Sequence, residues 1–441
     1  MTRGLRLVPR PPGPRERLAL LAGRAVAAVL LALAAPLLGL LAWRWGVAFS
    51  RTRRTGRGGR PFEELAWPPE VSRDWPLAER LRARHWPALV NVMRGEMALV
   101  GPRARACDEL DADDPRAGAL LTLQPGLVGP WWIRCRRGLD FGSELEVDLE
   151  YVRQRSPIGD AGLFLRAAAA LLFGAERTGD GLDCRVLGVR IDNMAMEDAV
   201  EKLATLAGGV APSQVCFANA DCLNLACRDD AYRETLARAR LVLPDGVGIR
   251  LATRLSGTTV RHNVNGTDLF PRLCPRLARD RRRVFLLGAK PGVVEKVRGW
   301  LEAHHPGVTV AGTQHGYFPA SEEPDVIRRI RDARVDVLLV AFGAPRQDVW
   351  IREHLPRLGV RLALGVGGLF DFYSDAVPRA PLWMREMGLE WAYRLAQEPR
   401  RLWRRYVIGN ALFLSRVGLE AAGVLRYAAT GDIVADAEAA A

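Results

Sequence analysis

The stretch LVLPDGVGIRLATRLSGTTVRHNVNGTD, Leu241–Asp268, decides the interpretation of this chain. An apolar run at Leu241–Leu243 ends in Pro244-Asp245-Gly246, and a helical pattern follows. A strand running into a glycine-containing turn and a helix is typical of α/β proteins, which bind ligands at the carboxyl ends of parallel strands. Asp245 is predicted to stand at such a strand end, where Gly246 lets a ligand approach the backbone. Taken alone, the tripeptide favours a simpler interpretation, a turn whose aspartate caps the helix.

Composition narrows the class of protein. The 441 residues are enough for two or three domains with full cores. Against 50 acidic residues stand 63 basic ones, nearly all arginine, and the net charge of +13 indicates an anionic partner such as nucleic acid, a membrane surface or a phosphorylated substrate. Seven cysteines without a CxxC pair are typical of reduced cytosolic thiols rather than of disulfides or a zinc site.

The second half of the chain alternates short apolar runs with helical patterns, which predicts an open, mostly parallel, Rossmann-like α/β sheet. The predicted strands are Val186–Ile191, Val215–Ala218, Leu241–Leu243, Val284–Leu287, Val308–Ala311, Val335–Ala341 and Leu362–Val366. The predicted helices are Met196–Ala207, Tyr232–Arg238, Asp268–Ala278, Val293–His304, Val326–Ala333 and Asp348–Leu358.

An uncharged apolar segment, Ala25–Trp43, lies near the N-terminus between arginine-rich flanks. At ~1.5 Å per residue its helix approaches the thickness of a bilayer core. Pro36 is expected to break or kink that helix. Because positive residues favour the cytoplasm, positive flanks on both sides predict a re-entrant membrane helix, with a straight span as the alternative.

These features predict three regions. Residues 1–178 form a mainly α, membrane-anchoring domain that contains the apolar helix 25–43. After a polar linker, Glu176–Leu182, residues 183–425 form the α/β domain with a basic C-terminal appendage. Residues 426–441 are small and acidic and are expected to be a disordered tail.

The first half resembles the bacterial sugar transferases, monotopic enzymes that move a sugar phosphate onto polyprenyl phosphate. The blocks that carry the resemblance are GVAFSRTRRTGRGGRPF (Gly46–Phe62), WPALVNVMRGEMALVGPRAR (Trp86–Arg105), QPGLVGPWWI (Gln124–Ile133) and VDLEYVRQRSPIGD (Val147–Asp160). The family's re-entrant helix matches Ala25–Trp43. Its catalytic Asp-Glu pair, however, falls on Arg84-His85. Because neither residue supplies a carboxylate nucleophile or a Mg²⁺ ligand, this half is expected to be a catalytically inactive anchor.

The second half resembles the WecG/TagA/CpsF glycosyltransferases over roughly Leu187–Tyr406. The blocks include FANADCLNLA (Phe217–Ala226), LPDGVGI (Leu243–Ile249), NGTDLFPRL (Asn265–Leu273), FGAPRQDVWI (Phe342–Ile351), GVGGLFDF (Gly365–Phe372), RAPLWMREMGLEWAYRL (Arg379–Leu395) and EPRRLWRRY (Glu398–Tyr406). The resemblance implies an inverting, metal-independent enzyme without a cofactor. It implies transfer of N-acetylmannosamine, its uronic acid or a related hexose from a UDP-sugar to a sugar on polyprenyl diphosphate, at the cytoplasmic membrane face.

The resemblance also assigns residues. Asp245 matches the proposed base that takes the proton of the acceptor hydroxyl. Gln347 matches a residue that binds the donor. The loop Gly288–Gly292 opens a helix whose free N–H groups are suited to an anion, although an ordinary strand–helix turn explains it equally well. Further candidate substrate-binding residues are Asn219, Gly246, Arg261, Asn263, Asn265 and Asp268.

Some of these candidates carry alternatives. Two positions depart from the best-known members: Phe217 stands where they have threonine, and Asn263 where they have arginine, with Arg261 as a replacement for the missing charge. These departures bear on the donor sugar more than on the reaction type. For Asn265 and Asp268, loop closure and helix capping are the simpler roles.

Arginines crowd the C-terminal appendage. Arg394, Arg401 and Arg404 fit the spacing of the family's arginines, which complete the site and meet the membrane, although Pro399 is expected to interrupt their helix. A solvated basic face is the simpler interpretation. Interleaved Trp403, Tyr406 and Phe413 favour a membrane surface, and no nucleic-acid-binding motif accompanies them.

The sequence therefore predicts a UDP-sugar-dependent glycosyltransferase of cell-surface polysaccharide synthesis, held at the cytoplasmic face of a bacterial plasma membrane. One alternative is a bifunctional enzyme whose first half also transfers a sugar phosphate. Another is a non-catalytic scaffold of a polysaccharide assembly complex. The sequence leaves the donor sugar, the linkage and the oligomeric state open, a homo-oligomer included.

Overall fold

The computed structural model describes residues 13–45, 49–68, 83–109, 115–137, 139, 143–173, 184–425 and 427. The chain divides into two compact units, Met1–Glu176 and Arg177–Ala441. The predicted linker Glu176–Leu182 lies outside the described residues, as does the predicted disordered tail apart from Tyr427.

The first unit begins with one long helix, α1 (Pro14–Trp45). Its stretch Glu16–Pro36 is long and apolar enough to cross a membrane, and only 11% of that stretch is buried. The helix is continuous through Pro36, so the expected break is absent. A proline removes one backbone donor, and a helix rich in Leu and Ala on both sides of it can continue.

Small sheets and short helices complete the first unit. Strands β1 (Ser50–Thr55), β2 (Pro61–Ala66) and β4 (Arg105–Ala106) form an antiparallel sheet in the order β2-β1-β4, and β3 (Ala98–Val100) pairs in parallel with β5 (Gly126–Val128). The helices are α2 (Leu89–Arg94), α3 (Pro115–Leu120), α4 (Pro130–Arg137), α5 (Glu144–Gln154) and α6 (Pro157–Phe173), with 3₁₀ turns at Arg57–Gly59 and Ala83–Ala88.

Helix α1 meets the rest of its unit through one stripe of side chains. Ala27 is fully buried in a core with Phe62, Leu89, Val92 and Met97. Large apolar side chains elsewhere on the helix are exposed, including Leu18 at 69%, Leu21 at 59% and Leu33 at 74%. Large exposed apolar side chains on a long helix are consistent with an interaction surface.

The second unit opens with a hairpin, β6 (Cys184–Val186) and β7 (Val189–Ile191). The sequence predicts a single strand over Val186–Ile191, and this prediction is wrong. Leu187 and Gly188 both take positive φ, 51° and 75°, which is the geometry of a tight two-residue hairpin turn.

Six parallel strands then form the main sheet. They are β8 (Ser213–Ala218), β9 (Leu241–Pro244), β10 (Arg283–Gly288), β11 (Thr309–Gln314), β12 (Val337–Ala341) and β13 (Leu362–Gly365), in the order β11-β10-β12-β13-β8-β9. The predicted parallel α/β sheet is confirmed, with six of the seven predicted strands in it. The order differs from that of the dinucleotide-binding Rossmann fold, so the likeness lies in parallel strands with helices on both faces.

Helices cover both faces of this sheet. They are α7 (Met196–Gly208), α8 (Ala220–Ala226), α9 (Asp230–Arg238), α10 (Val247–Leu255), α11 (Gly266–Arg279), α12 (Val293–His304), α13 (Glu323–Asp332), α14 (Arg346–Leu358) and α15 (Leu369–Tyr373), with a 3₁₀ turn at Ala320–Glu322. Along β8, Val215 and Phe217 enter one core, while Cys216 and Ala218 enter the core on the opposite face. Burial on both faces explains the continuous apolar runs of the strands.

The appendage forms four short helices, α16 (Leu382–Met387), α17 (Glu390–Gln397), α18 (Pro399–Trp403) and α19 (Gly409–Ala421), with a π-helical turn at Arg404–Ile408. The predicted interruption at Pro399 is confirmed, since α17 ends before it and α18 begins on it. Phe413 and Val417 of α19 are fully buried in the core under β8 and β9, which makes this helix part of the fold.

Candidate active site

Asp245 follows the last residue of β9 at the carboxyl edge of the sheet. Its backbone N–H donates to the carbonyl of Ala218 at 2.8 Å, which ties the ends of β9 and β8 together. Gly246 is the N-cap residue of α10 and has φ 95°, and no side chain caps this helix. The simpler interpretation of Asp245 as a helix cap is therefore wrong, and its carboxylate remains available for other contacts.

Asn263 and Asn219 shape the surroundings of Asp245. The N–H of Gly246 donates to Asn263 Oδ1 at 2.6 Å, so Asn263 holds the turn that follows Asp245. Asn219 caps α8 through Oδ1, which accepts the N–H groups of Asp221 and Cys222 at 3.1 Å each. The Asn219 side chain also hydrogen-bonds the Asp245 carboxylate. Both asparagines thus fix loop geometry at this edge.

The electrostatic field at Asp245 comes from the appendage. Burial raises the pKa of Asp245 above its ordinary value, more than the charge of Arg405, the hydrogen bond from Asn219 and the charge of Arg394 lower it, and Glu390 adds to the rise. A carboxylate with a raised pKa accepts a proton more readily. The role of Asp245 as base stays a prediction, to which the direction of this shift is favourable.

Arg405, rather than Arg404, is the arginine of the π-helical turn that faces Asp245. Arg405 pairs with Asp221 at 3.3 Å, whereas Arg404 is exposed and lies over the ring of Trp403 at 5.6 Å from its centre. The family resemblance selects Arg404 from the spacing of the family's arginines and does not select Arg405.

A second, partly buried carboxyl group, that of Asp371, is influenced by several basic side chains. Burial raises the pKa of the Asp371 carboxyl, while Arg394, Arg401 and Lys290 act in the opposite direction. The guanidinium of Arg394 also lies over the ring of Phe372, 5.0 Å from its centre. Sequence reasoning did not select Asp371, although it lies in the block GVGGLFDF. The side chain of Arg401 is 69% exposed, and it also pairs with Glu398 at 3.0 Å.

Gln347 locks the loops that follow β12 and β13. Its Oε1 accepts the N–H groups of Gly343 and Gly367 at 3.1 and 2.9 Å, and the residue is 4% exposed. A side chain on Gly365 would approach the Gln347 amide to 2.8 Å, so glycine is required at that position. With Oε1 engaged and the amide also hydrogen-bonding the Asp348 carboxyl, any ligand contact of Gln347 falls to its remaining N–H, and donor binding stays a prediction.

A buried carboxyl, Asp348, follows Gln347 and was not among the predicted site residues. It is fully buried, and Tyr232 donates its hydroxyl to Asp348 Oδ2 at 3.1 Å. Burial raises the pKa of Asp348 to about 7, although the Tyr232, Cys216 and Gln347 side chains act against the rise. No signal in the sequence separates this aspartate from an ordinary first-turn helix residue.

Asn265 and Asp268 open α11. Asn265 Oδ1 accepts the N–H of Asp268 at 2.8 Å, and the Asn265 amide donates to Asp268 Oδ2 at 2.7 Å. The capping role of Asn265 is therefore confirmed, while a sugar contact by either residue stays a prediction. Arg261 is held by its backbone, whose N–H donates to Asn193 Oδ1 at 2.7 Å.

The loop Gly288–Gly292 wraps the end of β10. Gly288 has φ 127°, and a Cβ there would lie 2.5 Å from the carbonyl oxygen of Ala341. Ala289 donates its N–H to that carbonyl at 3.0 Å, and Gly292 precedes α12 with φ 85°. Glycine is needed for the turn itself, so anion binding by this loop stays a prediction.

In the first unit, Arg84 and His85 stand where the resemblance places the family's carboxylate pair. Arg84 Nε donates to the carbonyl of Trp67 at 3.2 Å, and His85 Nδ1 lies 3.8 Å from Glu64 Oε1. Arg54 Nε pairs with the other oxygen of Glu64 at 2.9 Å. Although burial opposes it, hydrogen bonds and charge from His85 and Arg54 hold the pKa of Glu64 below its usual value.

Metal ligands are a separate question. Across the described ranges, no three or more His, Cys, Asp and Glu side chains are grouped to hold a metal ion. The expectation of a metal-independent enzyme stays a prediction.

Comparisons with known proteins match both halves of the chain. Residues 184–426 match the glycosyl transferase WecG/TagA/CpsF family, and residues 79–174 match the bacterial sugar transferase family. A relative from Bacillus subtilis (strain 168) is an N-acetylglucosaminyldiphosphoundecaprenol N-acetyl-beta-D-mannosaminyltransferase. It is 33% identical over 180 residues, which are 41% of this chain and 69% of the relative. Staphylococcus aureus (strain MW2) has a protein of the same name, 31% identical over 222 residues, 50% of this chain and 86% of that protein.

Proposed function

The chain belongs to the glycosyl transferase WecG/TagA/CpsF family, and on that premise we propose that its second unit transfers N-acetylmannosamine or a related hexose from a UDP-sugar to a polyprenyl-diphosphate-linked sugar. The related enzymes named above act by their names on N-acetylglucosaminyldiphosphoundecaprenol. The observation that carries the proposal is the placement of Asp245 directly after β9, at the carboxyl edge of the sheet, where the charges of Arg394 and Arg405 act on its carboxylate.

Asp245 is the proposed base. The acceptor hydroxyl gives its proton to the carboxylate as its oxygen bonds to the anomeric carbon of the donor. The bond from that carbon to the diphosphate oxygen breaks, and UDP leaves with the electron pair. Attack on the face opposite UDP inverts the configuration of the sugar.

Guanidinium groups are the proposed counter-charges for the leaving diphosphate. Arg394 and Arg405 both act on Asp245, and Arg394 and Arg401 both act on Asp371. Fixed cations aimed at developing negative charge stabilise a transition state without a metal ion. The Gln347 amide N–H₂ is a further proposed donor to the UDP-sugar.

The first unit is the proposed membrane anchor at the cytoplasmic face of the plasma membrane. The exposed leucines on α1 support contact with lipid. The match to the bacterial sugar transferase family supports a membrane-associated ancestor. The cations at positions 84 and 85 support loss of sugar-phosphate transfer. Exposed Leu21→Glu and Leu33→Glu together should move the protein from the membrane to the soluble fraction, and unchanged sedimentation with membranes would contradict the anchor.

A donor panel tests the function directly. Purified enzyme is incubated with UDP-N-acetylmannosamine, UDP-N-acetylglucosamine or UDP-glucose and with N-acetylglucosaminyl diphosphopolyprenol, and lipid-linked disaccharide and released UDP are measured with and without EDTA. We expect equimolar disaccharide and UDP from the first donor, unaffected by the chelator. Absence of product with every donor would favour the scaffold, and dependence on a divalent ion would refute metal independence.

A further inference from the structure

Arg379 joins two helices across the candidate site. Its Nη2 donates to Asp268 Oδ1 at 2.6 Å, and its Nε lies 3.3 Å from Glu390 Oε1. Asp268 is in the first turn of α11, and Glu390 is the first residue of α17. One planar guanidinium thus bridges the first turn of α11 to α17, the appendage helix that carries Arg394.

The bridge is well shielded on the side of the sheet domain. The Asp268 side chain is 4% exposed, and its second oxygen already accepts the Asn265 amide. Arg379 and Glu390 are 24% and 34% exposed. Ion pairs with one buried and hydrogen-bonded partner lose less to solvent than pairs on the open surface.

Helix α17 is held by partly exposed contacts, since none of its residues is buried. Trp391 lies near the ring of Tyr406, 6.1 Å between ring centres, and Arg394 lies over the ring of Phe372. The C-terminal end of the helix is tied by Gln397, whose amide donates to the carbonyl of Pro378 at 3.2 Å, and its N-terminal end is tied by Arg379. Polar ties therefore hold both ends of the helix.

The contact between Arg379 and Glu390 orients one face of α17, and the charged residues of that face influence the pKa of Asp245. Glu390 and Arg394 are one helical turn apart and share a face. Both contribute to the field at the Asp245 carboxyl, and Arg394 also reaches Phe372 and Asp371. A shift of α17 would displace both groups together.

We propose that Arg379 is a positioning residue: by bridging Asp268 and Glu390 it fastens α17 so that Glu390 and Arg394 stand at Asp245. The inference rests on the proposed role of Asp245 as base. It also gives Asp268 a place in the site that differs from a sugar contact. Arginine is required because its fork makes both contacts at once, which the single ammonium of lysine does not reproduce.

A double-mutant cycle tests the coupling. Arg379→Ala should lower kcat/KM by about 10²-fold, the loss typical of a displaced catalytic group. Adding Arg379→Ala to Arg394→Ala should cost little more than Arg394→Ala alone, because the displaced group is already gone. Arg379→Lys should recover part of the loss. If the double variant instead loses kcat/KM by the product of the two single losses, the proposal is overturned, because a general loss of stability acts independently of Arg394.

Hydrogen exchange of the full-length, unliganded protein gives a readout that needs no activity. Arg379→Ala should raise amide exchange in residues 390–397 and leave β12 and β13 unchanged. Arg361→Ala is the matched control, because Arg361 pairs with Asp336 at 3.3 Å at the opposite edge of the sheet. Unchanged exchange in 390–397 would overturn the positioning role. Raised exchange in a protein that transfers no sugar would instead support the tie and refute the proposed function.

Discussion

Each unit of this chain carries a carboxylate beside basic side chains, and the two are held in opposite ways. Glu64 of the first unit forms direct contacts with Arg54 and His85, which lower its pKa. Asp245 of the second unit stands in the field of Arg394 and Arg405, but burial outweighs them and its pKa is raised. A carboxylate satisfied by ion pairs is a poor proton acceptor, whereas one that is desolvated next to more distant cations is a good one.

The contrast teaches that the number of charged residues does not identify a working site. The first unit keeps an arginine-rich sequence, yet Arg84 and His85 stand where the resemblance expects carboxylates. The second unit keeps its carboxylate and recruits arginines from the appendage to surround it. Substitutions in the two units should therefore have very unequal effects on sugar transfer.

The largest effect should follow Asp245→Asn. The substitution keeps the shape of the side chain but removes the base, so turnover should fall by ~10²–10⁴-fold while the UDP-sugar still binds. Product formation and donor binding by calorimetry are measured separately. Asp229→Asn is a matched control, because Asp229 caps α9 away from the site and accepts the N–H of Tyr232 at 3.0 Å. Near-normal turnover of Asp245→Asn would move the search for a base to another carboxylate.

Substitutions at Gln347 should affect binding of the donor rather than the chemical step. Gln347→Ala should weaken binding of the UDP-sugar by ~1.5–3 kcal/mol, the contribution of one charge-assisted hydrogen bond. Gln347→Glu sharpens the test, since a carboxylate oxygen can still accept from Gly343 and Gly367 but no longer offers an N–H₂ group. If donor affinity of the glutamate variant equals that of wild type, Gln347 only braces the two loops.

Asp348 makes the second unit sensitive to pH. Its pKa is raised from 3.8 to about 7, so the folded state favours the protonated form and loses stability as pH rises from about 4 to about 7. Asp348→Asn stays neutral at every pH. Its free energy of unfolding should therefore rise relative to that of the wild type by up to about 1.4 kcal/mol per pH unit in that window. Urea midpoints of both proteins between pH 5 and 8 measure the difference. A difference that is flat below pH 7 would contradict this assignment.

The sequence predicts the sheet well and the site in part, for a physical reason. Apolar runs such as Val337–Ala341 are recognised as strands because burial on both faces leaves them continuously apolar. The strand end places Asp245 at the edge of the sheet, but its assignment as base comes from the family resemblance. Arg405, Arg379 and Asp348 are missed because their roles depend on partners more than 100 residues away, such as Asp268 and Tyr232.

The smallest effect should come from the first unit, even when its lost carboxylates are restored. Arg84→Asp with His85→Glu replaces two cations by carboxylates beside Glu64 and leaves Arg54 as its only contact among those described here. Three neighbouring carboxylates repel one another, and some should take up protons instead of forming a nucleophile and a Mg²⁺ site. The Arg84 contact to the Trp67 carbonyl would also be lost, so the segment that must present the nucleophile would be held less firmly. UMP release from UDP-sugar with polyprenyl phosphate and Mg²⁺ should therefore stay at background in the wild type, in His85→Ala and in the double variant, while UDP release by the second unit is unchanged. UMP formed by the wild type in proportion to enzyme, and abolished by His85→Ala, would show that the first unit is active after all and would remove the contrast between the two carboxylates.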